Sequence, residues 1–223
     1  ARAPAAGPHQ TQPARAARAG RPPAARHRRA AARPRRALPR PPALVAWHIG
    51  NEYGGTCYCE DCVVGFRRWL LETHGSLDQL NHDWCTQVWS HVLTDIDEVP
   101  APNALTEHWG GPYRSGFPVI TLEYKRYMTE QLSACLEGEI EQVRRVDGRT
   151  HPVTTNLMGP YEHLDYYRFA RELDVVSWDN YPRTERAWPE MAFNHSLMRA
   201  VAPRPAPVAH GSGARLHHLP RRQ

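Results

Sequence analysis

Two clusters of reactive side chains lie close together in this chain. The first is Asn51-Glu52, reached through the apolar run Ala43-Leu44-Val45-Ala46-Trp47 and His48-Ile49-Gly50, and followed by Tyr53 and a Gly54-Gly55 turn. A carboxyl group at the carboxyl end of a buried parallel strand is well placed for acid/base chemistry, because barrel folds open their substrate face there. The plainer alternative is a Glu that only hydrogen-bonds its own loop. The second cluster is Cys57-Tyr58-Cys59-Glu60-Asp61-Cys62. This C-x-C-x-x-C spacing suits a tetrahedral zinc site that lacks one ligand. Cys85 and Cys135 could supply the fourth by type, but each falls in a helical pattern where cysteine packs as a small apolar residue. A chance run of reduced thiols is the alternative. A metal here would be structural and would pin the loop that follows Glu52. Tight spacing and an odd total of 5 Cys fit a reducing, cytoplasmic setting better than a disulfide framework.

The elements that must position these residues follow from periodicity. Residues 43–47 are apolar on both faces and preceded by prolines, which reads as a buried strand. Residues 61–74 form an amphipathic helix, with Val63, Phe66, Leu70 and Leu71 on one face and Arg67, Arg68 and Glu72 opposite. Gly75 stops it, and Ser76 caps a second short helix through Leu77, Leu80 and Trp84. Trp89-Ser90-His91 follows, then a loop over 99–118 with Trp109 and Tyr113. Such aromatics could stack on sugar rings or pack under their own loop. A long helix spans about 120–146, with Leu122, Met128, Leu132, Leu136, Ile140 and Val143 on its apolar face and Glu139 and Arg144 on its solvated face. Asp147-Gly148 ends it. Residues 152–157 read as a strand, 164–173 as a short helix, 174–182 as a strand and 187–200 as a helix. This alternation predicts an α/β fold, a parallel sheet with right-handed crossovers. Three strands do not close a (β/α)₈ TIM barrel, which takes about 250 residues.

Charge divides the chain in three. All 23 acidic residues lie within 43–201, and residues 1–42 and 202–223 hold none. The ends carry 15 of the 28 basic residues, so the middle has a formal charge of −10 although the whole chain is +5. Residues 1–42 contain one Leu and no Ile, Val, Phe, Trp or Tyr, so nothing offsets the entropy of ordering them. They are expected to be disordered, and the same low-complexity, basic composition recurs in 202–223. Neither a secretory h-region nor an 18-residue apolar span is present, so membrane partners are not expected. Without interleaved aromatic residues the basic ends make a poor nucleic-acid arm.

Several stretches together resemble glycoside hydrolase family 42, the β-galactosidases. They are Trp47 to Gly55, Cys57 to Cys62, Trp89-Ser90-His91, Thr155-Asn156-Leu157-Met158-Gly159 and Val176 to Pro182, and the likeness runs from about residue 42 to 200. The resemblance implies a TIM-barrel domain, of which this chain would hold about strands 4 to 6, in a retaining enzyme that is commonly trimeric. It implies that Glu52 is the acid/base, that Asn51 contacts the sugar, and that Trp89 and Tyr181 line the galactose subsite. Cys57, Cys59 and Cys62 then match three of four zinc ligands. A retaining glycosidase uses two carboxyl groups roughly 5–5.5 Å apart, and the acid needs a raised pKa, here expected from a low-dielectric pocket.

The family's nucleophilic Glu would follow the helix that ends near Arg199, where residues 202–223 offer no carboxylate. Its sugar-binding Arg and fourth zinc Cys would lie upstream, where residues 1–42 stand. Reading in a shifted frame accounts for both. Ala/Arg/Pro bias without acids is what off-frame reading of GC-rich DNA produces. One choice of codons for residues 36–42, read one base later, gives Glu-Arg-Tyr-Arg-Asp-His-Pro, and one for residues 210–212 gives Met-Glu. The rival is a shortened relative with evolved tails: a non-catalytic sugar-binding or degenerate barrel remnant.

Overall fold

A computed structural model describes residues 43–102, 118–181 and 187–201. Trp109, Tyr113 and both end segments lie outside the described residues. In chain order the elements are β1 (Trp47–His48), α1 (Glu60–His74), α2 (Leu77–Asp83), α3 (Pro118–Asp147), β2 (Val153–Thr154), β3 (Asn156–Leu157), α4 (Tyr166–Ala170), β4 (Ser177–Trp178) and α5 (Ala187–Val201).

Among the described residues all pairing is parallel. β1 pairs β2 with Trp47 opposite Val153, and β3 pairs β4 with Asn156 opposite Ser177. Residues 153–157 are therefore one central extended run that changes partner at the buried Thr155. Its first half bonds β1, with the Ile49 N–H donating to the Thr154 carbonyl at 2.8 Å; its second half bonds β4, with the Asp179 N–H donating to the Leu157 carbonyl at 2.7 Å. Parallel neighbours need long crossovers, and α3 and α4 supply them. Together these elements form part of an α/β barrel.

The helices start and stop for local reasons. Glu60 and Asp61 in the first turn of α1 complement the positive end of its dipole. Gly75 ends α1 at φ +84, a left-handed conformation that glycine adopts without strain. Ser76 then caps α2, its hydroxyl accepting from the Gln79 N–H at 3.1 Å. α3 runs for 30 residues, about 45 Å at 1.5 Å per residue. That length lets it serve two cores. Leu136 and Ile140 pack on the sheet with Phe169 and Trp178. Tyr124, Tyr127 and Met128 pack on α1 and α2 with Phe66, Leu70 and Leu80.

Several expectations need correction. The run 43–47 is not a buried strand: only Trp47 of it pairs, and Val45 is 80% exposed. Among the described residues β1 is bonded along one edge only, so nothing there covers the lead-in. Leu122 is also exposed, one turn into α3. Arg67 is not on a solvated face. It is largely buried, donating from Nε to the Val99 carbonyl at 3.0 Å and from Nη1 to Asp97 Oδ1 at 3.1 Å, and so ties α1 to the loop beyond α2. Glu139 faces inward and accepts from the Tyr53 hydroxyl. The helix expected over 164–173 narrows to Tyr166–Ala170, started by Asp165, whose carboxylate accepts from the N–H groups of Tyr167 and Arg168.

Candidate active site and thiol cluster

The carboxyl ends of the strands converge on Glu52. After the buried Ile49, Gly50 takes φ +59, and an added Cβ there would meet the Tyr53 ring at 2.7 Å. Glycine is therefore required on two counts, close approach and backbone sign. Glu52 itself adopts φ +46, where a residue other than Gly is strained. Its N–H donates to Asn156 Oδ1 at 3.2 Å, an anchor 104 residues away in sequence. Asn156 Nδ2 donates in turn to Asp179 Oδ2 at 2.9 Å. Tyr53 packs its ring against Phe169, centroids 5.5 Å apart, and its hydroxyl donates to Glu139 Oε2 at 2.6 Å.

The Glu52 carboxyl is raised above the ordinary Glu range. The leading cause is hydrogen bonding with the Asp179 carboxyl group; burial adds less, and the charge of Asp179 adds further. The cause is thus a neighbouring carboxylate and not the low-dielectric pocket expected from sequence, for Glu52 is solvent-exposed among the described residues. A neighbouring like charge disfavours the ionised form, which is the direction of the shift at Glu52. Burial likewise pushes the Tyr166 phenol up, and the charges of Asp179 and Glu52 add to it.

The other residues expected at the site fall around this centre. Asn51 is exposed beside Glu52. Tyr181 is 62% exposed, two residues past Asp179. Trp89 sits in a single 3-10 turn, Val88–Ser90, and its side chain lies outside the described residues. Asn156 and Asp179 were missed as site residues. The available signal was their place at the carboxyl ends of β3 and β4, the same rule that singled out Glu52.

The three thiols do come together: the sulfur atoms of Cys57, Cys59 and Cys62 all lie within 4.8 Å of one another. Ligands at 2.3 Å around a tetrahedral ion stand about 3.8 Å apart, so small side-chain adjustments would close the set on a metal. Cys59 precedes the first turn of α1. Burial opposes its ionisation, but the Cys62 N–H and the neighbouring thiols outweigh burial and hold Cys59 below the usual thiol range. Burial pushes Cys62 up. The cluster rests on aromatic packing: the Tyr124 hydroxyl donates to the Cys57 carbonyl at 2.5 Å, and Tyr58 stacks on Tyr124. Cys135 is buried on α3, as expected. Cys85 is not: it is exposed, at φ +52, just after α2. Neither joins the cluster among the described residues.

A parallel sheet whose strands alternate with helices, and whose carboxyl ends collect a Glu, an Asp and an Asn, defines a segment of an α/β-barrel enzyme. The family model for glycoside hydrolase 42, described as Beta-galactosidase, matches residues 26–216, and the chain belongs to that family. It is 43% identical to Beta-galactosidase BgaA of Planococcus sp. (strain 'SOS Orange') over 160 residues, covering 72% of this chain and 24% of that protein. It is 40% identical to Beta-galactosidase BglY of Alicyclobacillus acidocaldarius over 172 residues, covering 74% and 24%. Among solved structures, the β-galactosidase from Bacillus circulans sp. alkalophilus superposes with a TM-score of 0.67 at 43% identity, covering 80% of this chain and 25% of that one. The chain thus spans about a quarter of the length of these relatives. Among the described residues no helix is long and apolar enough to cross a membrane.

Proposed function

We propose that this chain carries the acid/base half of a retaining β-galactosidase site, with Glu52 as the proton donor. One observation supports this above the others: Glu52 stands at the carboxyl end of a parallel strand in contact with a second carboxyl group that favours its protonated form. In the first step Glu52 gives its proton to the glycosidic oxygen as the leaving sugar departs. In the second it takes a proton from water, which releases the galactosyl group from the partner carboxylate. Asn51 would contact the sugar, and Trp89 and Tyr181 would line the galactose subsite. The substrate is a terminal β-D-galactoside, and the setting is a cytoplasmic trimer.

Cys57, Cys59 and Cys62 would hold a structural zinc ion. When bound, it fixes the loop from Gly54 to α1 and contributes no acid/base step.

The partner carboxylate has no counterpart in residues 202–223, which contain no Asp or Glu. That observation supports a second reading, a sugar-binding remnant that does not hydrolyse. Residues 1–42 and 202–223 are proposed to be off-frame or low-complexity extensions of the partial barrel domain 43–201. The discriminating experiment grafts residues 43–201 in place of the matching segment of a full-length relative such as the Planococcus enzyme. Hydrolysis of an aryl β-galactoside by the graft, lost by about 10²–10⁴-fold in Glu52→Gln, is the expected result. A graft that folds and binds galactose but does not hydrolyse favours the remnant.

A further inference from the structure

The central strand carries an amide that faces two ways. Asn156 accepts at Oδ1 from the Glu52 N–H and donates from Nδ2 to the Asp179 carboxylate. Reversing the amide would set an NH₂ group against an N–H and a carbonyl against a carboxylate, so the two bonds admit one orientation. The backbone holds both partners in register. Asn156 pairs with Ser177 across β3 and β4, and the Asp179 N–H donates to the Leu157 carbonyl at 2.7 Å.

We propose that Asn156 and Asp179 are positioning residues for the Glu52 carboxyl: Asn156 fixes the Glu52 backbone through Oδ1 and holds the Asp179 carboxylate beside the Glu52 side chain through Nδ2. This rests on the reading of Glu52 as proton donor. Asp179 is not the second carboxylate of a retaining pair. Two carboxyl groups in hydrogen-bond contact leave no room between them for an anomeric carbon, which needs a gap of roughly 5–5.5 Å. Its role is to act through Glu52. The groups facing the pair are the Asn156 amide from β3 and the Tyr166 phenol from α4, whose hydroxyl accepts from the Met158 N–H at 2.9 Å. Burial pushes the Tyr166 phenol up, away from the carboxylate range.

The test is a carbon-13 NMR titration of the full 223-residue chain, labelled at Glu and Asp side-chain carboxyl carbons. Asp179→Asn should bring the Glu52 midpoint down toward the ordinary value of about 4.3. Asn156→Ala leaves both carboxyl groups in place and should shift the Glu52 midpoint in the same direction, so it keeps the test alive where Asp179→Asn disturbs folding. A Glu52 midpoint that does not move in folded Asp179→Asn overturns the proposal, as does one that ignores Asn156→Ala. In a full-length relative, the matching Asp→Asn change should move the basic limb of the kcat/KM profile to lower pH, since the donor must be protonated. An unmoved limb overturns the positioning role. Retained activity after the matching Glu→Gln change instead removes the proton-donor reading, while the titration result stands.

Discussion

Tyr53 and Glu139, 86 residues apart in sequence, are joined by a 2.6 Å hydrogen bond that ties the loop bearing Glu52 to the C-terminal half of α3. The bond is part-buried, and burial with the Glu139 contact pushes the Tyr53 phenol up, so it stays a donor. Tyr53→Phe removes that donor and leaves a charged acceptor short of a partner. The expected cost is about 1.5–3 kcal/mol of stability, read as a lower urea midpoint at unchanged slope. Glu139→Gln keeps an acceptor and should cost about half as much.

Stability should also fall in acid through Asp174. Burial would raise this carboxyl, but the Val153 N–H and the Arg144 guanidinium outweigh burial and hold it below the ordinary range. A depressed carboxyl contributes stability above its unfolded value of about 3.9 and loses it as pH falls through the folded value. Asp174 bridges α3 to β2, accepting from Arg144 Nη2 at 2.7 Å and from the Val153 N–H at 2.8 Å. With its side chain 35% exposed, Asp174→Asn should cost about 1 kcal/mol at pH 7 and less at pH 2. Denaturant midpoints for both proteins at the two pH values decide this; equal losses at both would sink it.

Glu52 has the opposite sign. Its folded value is raised, so its contribution is complete below the ordinary Glu value and is lost as pH rises through the raised midpoint. Asp179→Asn should therefore flatten the pH dependence of stability on that limb, a comparison that thermal melts across the carboxylate range can make.

Metal binding gives a separate test. Chain purified from zinc-containing medium should release one ion when its thiols are blocked in the presence of a metal-sensitive dye. Cys62→Ser should release far less, whereas Cys85→Ser should match the parent, because Cys85 is exposed and outside the thiol cluster. Equal release from both variants would remove Cys62 from the site.

The frame proposal is settled by the coding DNA. Resequencing across the codons for residues 1–45 and 198–223 should show single-base shifts whose correction yields an upstream Arg and Cys and a downstream Met-Glu. A frame that reads as given removes that explanation of the acid-free ends and moves the weight to the remnant.

Much of the architecture was legible because it rests on local rules. Gly75, Ser76 and Gly148 end or cap helices, and the apolar spacing of Leu136 and Ile140 marks the sheet side of α3. What was not legible depends on pairings between distant segments. Glu139 and Arg67 look like solvent-facing residues by periodicity, yet each bonds a loop from elsewhere in the chain. Asn81 is another such case. Its side chain donates to the Leu93 carbonyl and accepts from the Leu93 N–H and the Thr86 hydroxyl, stitching the loop beyond α2 in a way no spacing announces. At the site, Glu52 and the thiol spacing could be read from type and position. Asn156 and Asp179 could not be assigned partners, because the register that brings them together exists only in the folded sheet.

The backbone at Glu52 bears on how this segment would drift. Its φ of +46 is cheaper for Gly or Asn than for Glu, by about 1–3 kcal/mol for a strained residue. A lineage released from carboxyl chemistry would gain stability at its first substitution there, with the turn kept and the side chain lost. Position 52 is therefore among the earliest places where disuse would leave a mark.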